Sequence, residues 1–233
     1  MIDGTTQFSG FTEVASPALF PAFVHRCSVV VDGAGPDLAG PGLPDELRTA
    51  VESRRREFLA GRHCAAHALA RLDPVLAATP VSRGAARQPE WPAAVTGSIT
   101  HTGMFASAAV ARTADVRSLG LDTERLERFG PLSRASRLVL RPEEADLGGA
   151  ALSDRRLPLV FSAKEAVFKC LYPLVGRHFY FQSAVLEAID PAAGTFIARP
   201  AGDLAPGVDS SLRLEGRFCF DADYVHTGVW LPR

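Results

Sequence analysis

Two stretches constrain this chain more than any others: PDELRTAVESRRREFLAGRHCAAHALARL at residues 44–72 and FSAKEAVFKCLYPL at 161–174. In the first, Leu47, Val51, Phe58, Leu59 and Leu69 recur with helical spacing and form an apolar stripe. The second predicts a helix from about Pro158 to Leu174. Each is followed by short, strand-like segments, so the expected class is α/β (α+β): helix, then strands, twice over. After the first helix, Pro74 and the Gly/Pro-rich stretch up to Ser98 break the pattern. MFASAAVAR and VRSLGLDTE then read as consecutive strands separated by TAD. After the second helix come FYFQSAVLEAID, TFIARP, SLRLEGRFCFD and YVHTGVWL, and before the first lies one strand, FVHRCSVVVD.

The halves echo each other. FLAGRHCAAHAL and FSAKEAVFKCLY align Phe58 with Phe161 and Ala60 with Ala163, and each is followed downstream by HTG opening a strand, at His101 and His226. The boundary falls near residue 115, giving subdomains 1–115 and 116–233. With two halves already in one chain, a monomer is the simpler expectation. A formal net charge of −1 gives no overall attraction to nucleic acid or to a membrane surface. No apolar run approaches the ~20 residues of a spanning helix. The N-terminus lacks a secretory pattern and the four cysteines form no CxxC pair, so a reduced, cytoplasmic setting is expected.

Both lysines, Lys164 and Lys169, sit in the second helix of a chain that otherwise uses arginine. An ammonium is a compact, mobile charge with a tunable pKa, whereas a guanidinium is a permanent flat fork. Glu165 lies between them, and at i, i+4 from Lys169 it also fits an ordinary helix ion pair. In the strand SLGLDTE, alternation puts Gly120, Asp122 and Glu124 on one face and turns Leu119 and Leu121 into a core. The glycine leaves room for something to approach the carboxylates. Adjacent carboxylates repel and favour a cation. Asp122, Glu124 and Glu165 form an all-oxygen set that suits Mg²⁺ or Mn²⁺ holding a phosphate, although a lone D-x-E also fits a strand ending in solvent.

Arg54 and Arg62 are two turns apart on one helix face and suit a phosphate monoester, with Arg87 of RQPEWP as a third fork. In GSITHTG, amides around Gly97 and Ser98, with the His101 ring, can meet an anion. His63 and His67 have metal-ligand spacing, but the intervening CAA lacks the glutamate of H-E-x-x-H, so they are read as packing or surface residues.

Taken in order, RRREFLAGR, RQPEWP, GSITHT, GLDTE and FSAKEAVFKCLYP resemble the 4′-phosphopantetheinyl transferases over about Leu19 to Gln182. The resemblance is to the enterobactin-type branch of the class that activates peptide and polyketide synthetases. The family patterns G-[IL]-D-x-E and [FW]-x-x-K-E-[AS]-x-x-K are both met; Thr100 replaces a commoner serine, and the surroundings of Arg87 vary in the family.

The resemblance implies two similar α/β subdomains related by a pseudo-twofold, with coenzyme A between them. The implied reaction moves phosphopantetheine from coenzyme A to a serine of an acyl- or peptidyl-carrier protein and releases 3′,5′-ADP. By the same resemblance, Asp122, Glu124 and Glu165 hold Mg²⁺, Glu165 or a water it orients takes the serine proton, and Lys164 and Lys169 contact phosphates. Arg54, Arg62 and His101 hold the adenosine end, with Arg87 and Thr102 as further coenzyme A contacts.

Five arginines (Arg125, Arg128, Arg134, Arg137, Arg141) against one acid, Glu127, suit docking of an acidic carrier helix, with Leu138 and Leu140 beside them. A Mg²⁺-dependent pyrophosphate or phosphodiester hydrolase and a non-catalytic carrier-protein binder remain as alternatives.

Overall fold

The computed structural model describes residues 10–31, 43–128 and 138–233. They form two compact units, one comprising residues up to 16 together with 22–111, the other 17–21 together with 112–233. The segment Pro17–Pro21 thus belongs to the second unit, although the sequence placed it in the first half.

In the first unit, strands β1 (Phe11–Val14), β2 (His25–Val31), β5 (Val95–Thr102) and β6 (Phe105–Arg112) make a sheet in the order β1-β2-β6-β5. The predicted first helix breaks in two, α1 (Asp45–Arg48) and α2 (Glu52–Leu72). Val51, expected in the apolar stripe, caps α2 and is 72% exposed. The buried face instead consists of Ala60, Gly61, Cys64, Ala65, Ala68 and Leu69. These small side chains pack against Cys27, Val29, Val31, Ala106, Ala108 and Val110 of the sheet. A two-stranded hairpin, β3 (Ser82–Arg83) with β4 (Pro89–Glu90), lies between α2 and β5. Its loop is closed by hydrogen bonds from the Arg87 amide to the Gly84 carbonyl and from the Gly84 amide to the Gln88 carbonyl, both 2.8 Å. Arg87 adopts φ +70°, a costly conformation for a residue with a Cβ.

The second unit is an antiparallel five-stranded sheet in the order β7-β11-β10-β9-β8. Its strands are β7 (Val116–Arg125), β8 (Ala184–Asp190), β9 (Thr195–Pro200), β10 (Leu214–Phe220) and β11 (Tyr224–Pro232). A 20-residue helix, α3 (Arg156–Val175), lies on it. Pro158 is tolerated in the first turn, where its missing amide has no intrahelical partner. Near the C-terminus, Pro173 removes the amide that would bond the Lys169 carbonyl. Gly176 ends the helix at φ +69°, its amide donating to the Tyr172 carbonyl.

MFASAAVAR and VRSLGLDTE are indeed consecutive strands, but they belong to different sheets and the unit boundary falls at their junction. The two HTG triplets also differ in setting. His101–Gly103 ends β5 and turns at Gly103 (φ +57°), whereas His226–Gly228 lies inside β11. Gly228 is needed because a Cβ there would come within 2.7 Å of Phe20 and 2.9 Å of Leu19. Cys27, Cys64, Cys170 and Cys219 are free thiols. No described helix is long and apolar enough to cross a membrane.

Candidate active site

The first unit holds a basic cavity of about 140 Å³, lined among others by Arg54, Arg62, Arg83, Arg87 and His101. Two helical turns bring Arg54 and Arg62 onto it from α2, the β3–β4 hairpin contributes Arg83 and Arg87, and β5 contributes His101. Carboxylates accompany them: Glu57 lies 3.4 Å from Arg54 and 3.5 Å from His101, and Glu46 lies 2.8 Å from Arg83. Burial pushes the Glu57 carboxyl up, but His101 and Arg54 outweigh it and hold it below the usual range.

Arg62 bears the largest strain in this cavity. Burial first, and Arg83 second, bring its pKa down to about 10. It stacks over Phe58 and donates to the Ser82 carbonyl at 3.3 Å, while its buried Nε has no hydrogen-bond partner among the described residues. A phosphate dianion entering here would relieve both penalties. Arg83 was missed in the sequence, its only signal being its place four residues before Arg87 on a Gly-containing turn. Thr102 ends β5 and does not line the cavity. Gly97 lies inside β5 and is closely packed: a Cβ there would meet Trp91 at 2.7 Å and the Ala109 carbonyl at 2.8 Å.

In the second unit, β7 and α3 bring the carboxylate motifs together. Gly120, Asp122 and Glu124 share a face as the alternation predicts, but what Gly120 admits is α3. A Cβ at Gly120 would lie 1.9 Å from the Ala166 carbonyl. With the helix backbone seated this closely, Lys169 reaches back to donate to Asp122 Oδ1 (2.7 Å) and to the Leu121 carbonyl (3.1 Å). Its partner is therefore Asp122 of the strand, and not Glu165 on its own helix. Asp122 is buried; its Oδ2 accepts from Ser162 at 2.8 Å. Glu124 accepts from Arg128 at 2.8 Å.

Lys164 corrects the sequence expectation. Its side chain is fully buried, donating to Glu144 Oε2 and to the Val139 carbonyl, both at 2.7 Å. Its ammonium is engaged by that pair, although the residue also borders the cavity beside Glu165. Burial lowers its pKa and Glu144 offsets the loss. Glu144 in turn accepts from the Arg141 amide (2.7 Å) and the Leu186 amide (2.8 Å). Next to Lys164 on the helix, Glu165 lines a second cavity of about 170 Å³ with Phe168, His178, Phe179, Tyr180 and Phe181.

Burial, followed by Asp122, raises the Glu124 pKa to about 7, with Arg128 and Lys169 opposing. Glu165 is also raised, chiefly by burial, against Lys169. Among the described residues no group of three or more His, Cys, Asp or Glu side chains is arranged to hold a metal ion. The donor chemistry still fits a hard cation: all-oxygen ligands, two of them carboxyls whose charge is resisted by burial and by Asp122.

The Glu124 shift has a measurable consequence. Its folded pKa lies above its unfolded value, so its contribution to stability is full below about pH 4.5 and is lost as pH rises through about 7. Glu124→Gln should therefore gain on the wild type between those limits, by on the order of 3 kcal/mol. Urea denaturation in EDTA at pH 4.5 and 8 checks this; a stability difference that does not change with pH would refute it.

Of the docking arginines, Arg125, Arg128 and Arg141 pair with Glu127, Glu124 and Glu143. Arg134 and Arg137 lie outside the described residues. Leu138 is exposed, whereas Leu140 packs against the second unit's core. His63 and His67 stack ring to ring on α2, with Phe11 against His63.

Residues 43–111 match the 4′-phosphopantetheinyl transferase N-terminal domain, and residues 118–227 match the 4′-phosphopantetheinyl transferase superfamily. The chain is 45% identical over 186 residues to 4′-phosphopantetheinyl transferase Svp of Streptomyces mobaraensis, covering 75% of this chain and 71% of that protein. It is 32% identical over 200 residues to 4′-phosphopantetheinyl transferase Npt of Nocardia iowensis, covering 82% and 88% respectively. Enterobactin synthase component D of Escherichia coli (strain K12) is 37% identical over 132 residues, covering 53% and 58%. With both domains matched in order and relatives aligned over most of its length, the chain belongs to the 4′-phosphopantetheinyl transferase superfamily.

Proposed function

We propose that this chain transfers the 4′-phosphopantetheine arm of coenzyme A to a serine of an acyl- or peptidyl-carrier protein, in a Mg²⁺-dependent reaction that releases 3′,5′-ADP. The observation that carries this reading is the Asp122–Lys169 pair, which brings GLDTE and FSAKEAVFKC together beside Glu124. Asp122, Glu124 and Glu165 are the residues that would hold Mg²⁺ or Mn²⁺. When bound, the ion supplies charge neutralisation on the pyrophosphate oxygens.

Glu165 accepts the proton of the carrier serine, directly or through a water. Its raised pKa brings it closer to neutrality than an ordinary carboxylate, which favours general-base work. The serine oxygen forms a bond to the pantetheine-side phosphorus as the bond to the bridging oxygen of the pyrophosphate breaks. Lys169 can follow the leaving phosphate because its ammonium is mobile and 26% exposed. Arg54, Arg62, Arg83, Arg87 and His101 take the adenosine 3′,5′ end, where permanent charge suits a phosphate that does not react. The aromatic cavity beside Glu165 suits the uncharged pantetheine chain. Arg125, Arg128, Arg134, Arg137 and Arg141 remain the proposed docking residues for an acidic carrier, and a cytoplasmic setting fits the free thiols.

The test is intact-mass spectrometry of an apo carrier protein incubated with this chain, coenzyme A and Mg²⁺. A gain of one phosphopantetheine, abolished by EDTA, is the expected result. Cleavage of coenzyme A with no carrier modified would indicate a hydrolase instead, and neither gain nor cleavage with any carrier a binding protein.

A further inference from the structure

Asp122 is held from behind by two hydroxyls that no sequence motif singled out. Ser162 Oγ donates to Asp122 Oδ2 at 2.8 Å and lies 2.8 Å from Thr227 Oγ1; Thr227 Oγ1 donates to the Ser162 carbonyl at 3.0 Å. All three side chains are buried. The fold makes this meeting unavoidable. Thr227 lies directly opposite Asp122 in the β7–β11 register, and α3 places Ser162 over both. Lys169 occupies the other carboxylate oxygen, so each oxygen of Asp122 has a donor from α3.

We propose that Ser162 and Thr227 are positioning residues that fix the rotation of the Asp122 carboxylate and so set its affinity for a divalent cation. The inference rests on the metal role of Asp122 proposed above. An ionised carboxylate accepts only, so the single Ser162 proton goes to Asp122 Oδ2. The Ser162–Thr227 contact then has one hydrogen available, that of Thr227, which is shared between Ser162 Oγ and the Ser162 carbonyl. The strand hydroxyl thereby orients the helix hydroxyl, and the helix hydroxyl orients the carboxylate. Without Ser162 the donor that α3 supplies to Oδ2 is lost, and of the two α3 donors Lys169 alone still orients the carboxylate.

The test is Mn²⁺ binding followed by electron paramagnetic resonance, with the protein saturated in coenzyme A, no carrier present, and coenzyme A alone as the blank. Ser162→Ala is expected to weaken Mn²⁺ binding by about 10-fold or more, as is typical when a hydrogen-bond partner of a metal ligand is removed. Ser162→Thr, which keeps the hydroxyl, should restore it. In turnover assays the metal concentration for half-maximal rate should rise while KM for coenzyme A stays unchanged. If Ser162→Ala does not fold, Thr227→Val carries the test, since it keeps the volume and removes only the orienting hydroxyl; weaker Mn²⁺ binding is again expected. A folded variant that binds Mn²⁺ as tightly as wild type overturns the positioning role alone. A wild-type protein that binds no Mn²⁺ beyond the blank overturns the metal reading, and this inference with it.

Discussion

Glu144→Ala is expected to lower folding stability by about 3–5 kcal/mol, because it leaves the Lys164 ammonium buried without its counter-charge. Both side chains are fully buried, which limits how well water can solvate the charge left behind. The same carboxylate also holds the Arg141 and Leu186 amides, which would be orphaned together with the lysine. Against a typical domain stability of about 5–15 kcal/mol, such a loss is large. Urea denaturation of the wild type and variant measures it. The double variant Glu144→Leu with Lys164→Met should recover much of the loss, because removing both charges also removes their desolvation cost. A Glu144→Ala protein as stable as wild type would show that the pair contributes little.

Glu165→Ala should lower kcat by about 10²–10⁴-fold, the range for losing a positioned general base. KM for coenzyme A should rise by a smaller factor, since Glu165 also lines the cavity proposed for the pantetheine chain while the arginine cavity is built from other residues. Steady-state turnover of an apo carrier protein, with carrier and coenzyme A varied in turn, gives both quantities. A kcat within twofold of wild type would remove Glu165 from the chemistry. A selective rise in KM for coenzyme A would make it a binding residue instead.

Local pattern revealed a good deal of this in advance. Period-two alternation placed Gly120, Asp122 and Glu124 on one face, and helical spacing brought Arg54 and Arg62 to one cavity. What local pattern cannot show is the partner that tertiary packing brings. Lys164 was expected at a phosphate because its neighbour Glu165 pointed there. Its actual partner, Glu144, lies in a 3₁₀ turn that only the packed fold brings to it. Thr227 lies opposite Asp122 through a strand register linking residues about a hundred positions apart, and Ser162 reaches Asp122 from a helix packed on that strand, neither of which a window of sequence contains. Gly120 was read as space for a ligand, and the space is filled by helix backbone. The apolar stripe of the first helix failed at Val51 because the helix breaks there, leaving Val51 as the exposed cap of α2.

The segment Pro17–Pro21 carries a consequence for how the molecule is made. Leu19 and Phe20 pack against backbone about two hundred residues later in the chain, at Gly228. Phe20 also meets the ring of Trp230. Closing so long a loop carries an entropic cost and slows the step that depends on it. This contact can therefore form only once β11 has been made, however early the first unit has folded. A nascent protein stalled before β11 would expose an apolar segment with nowhere to bind.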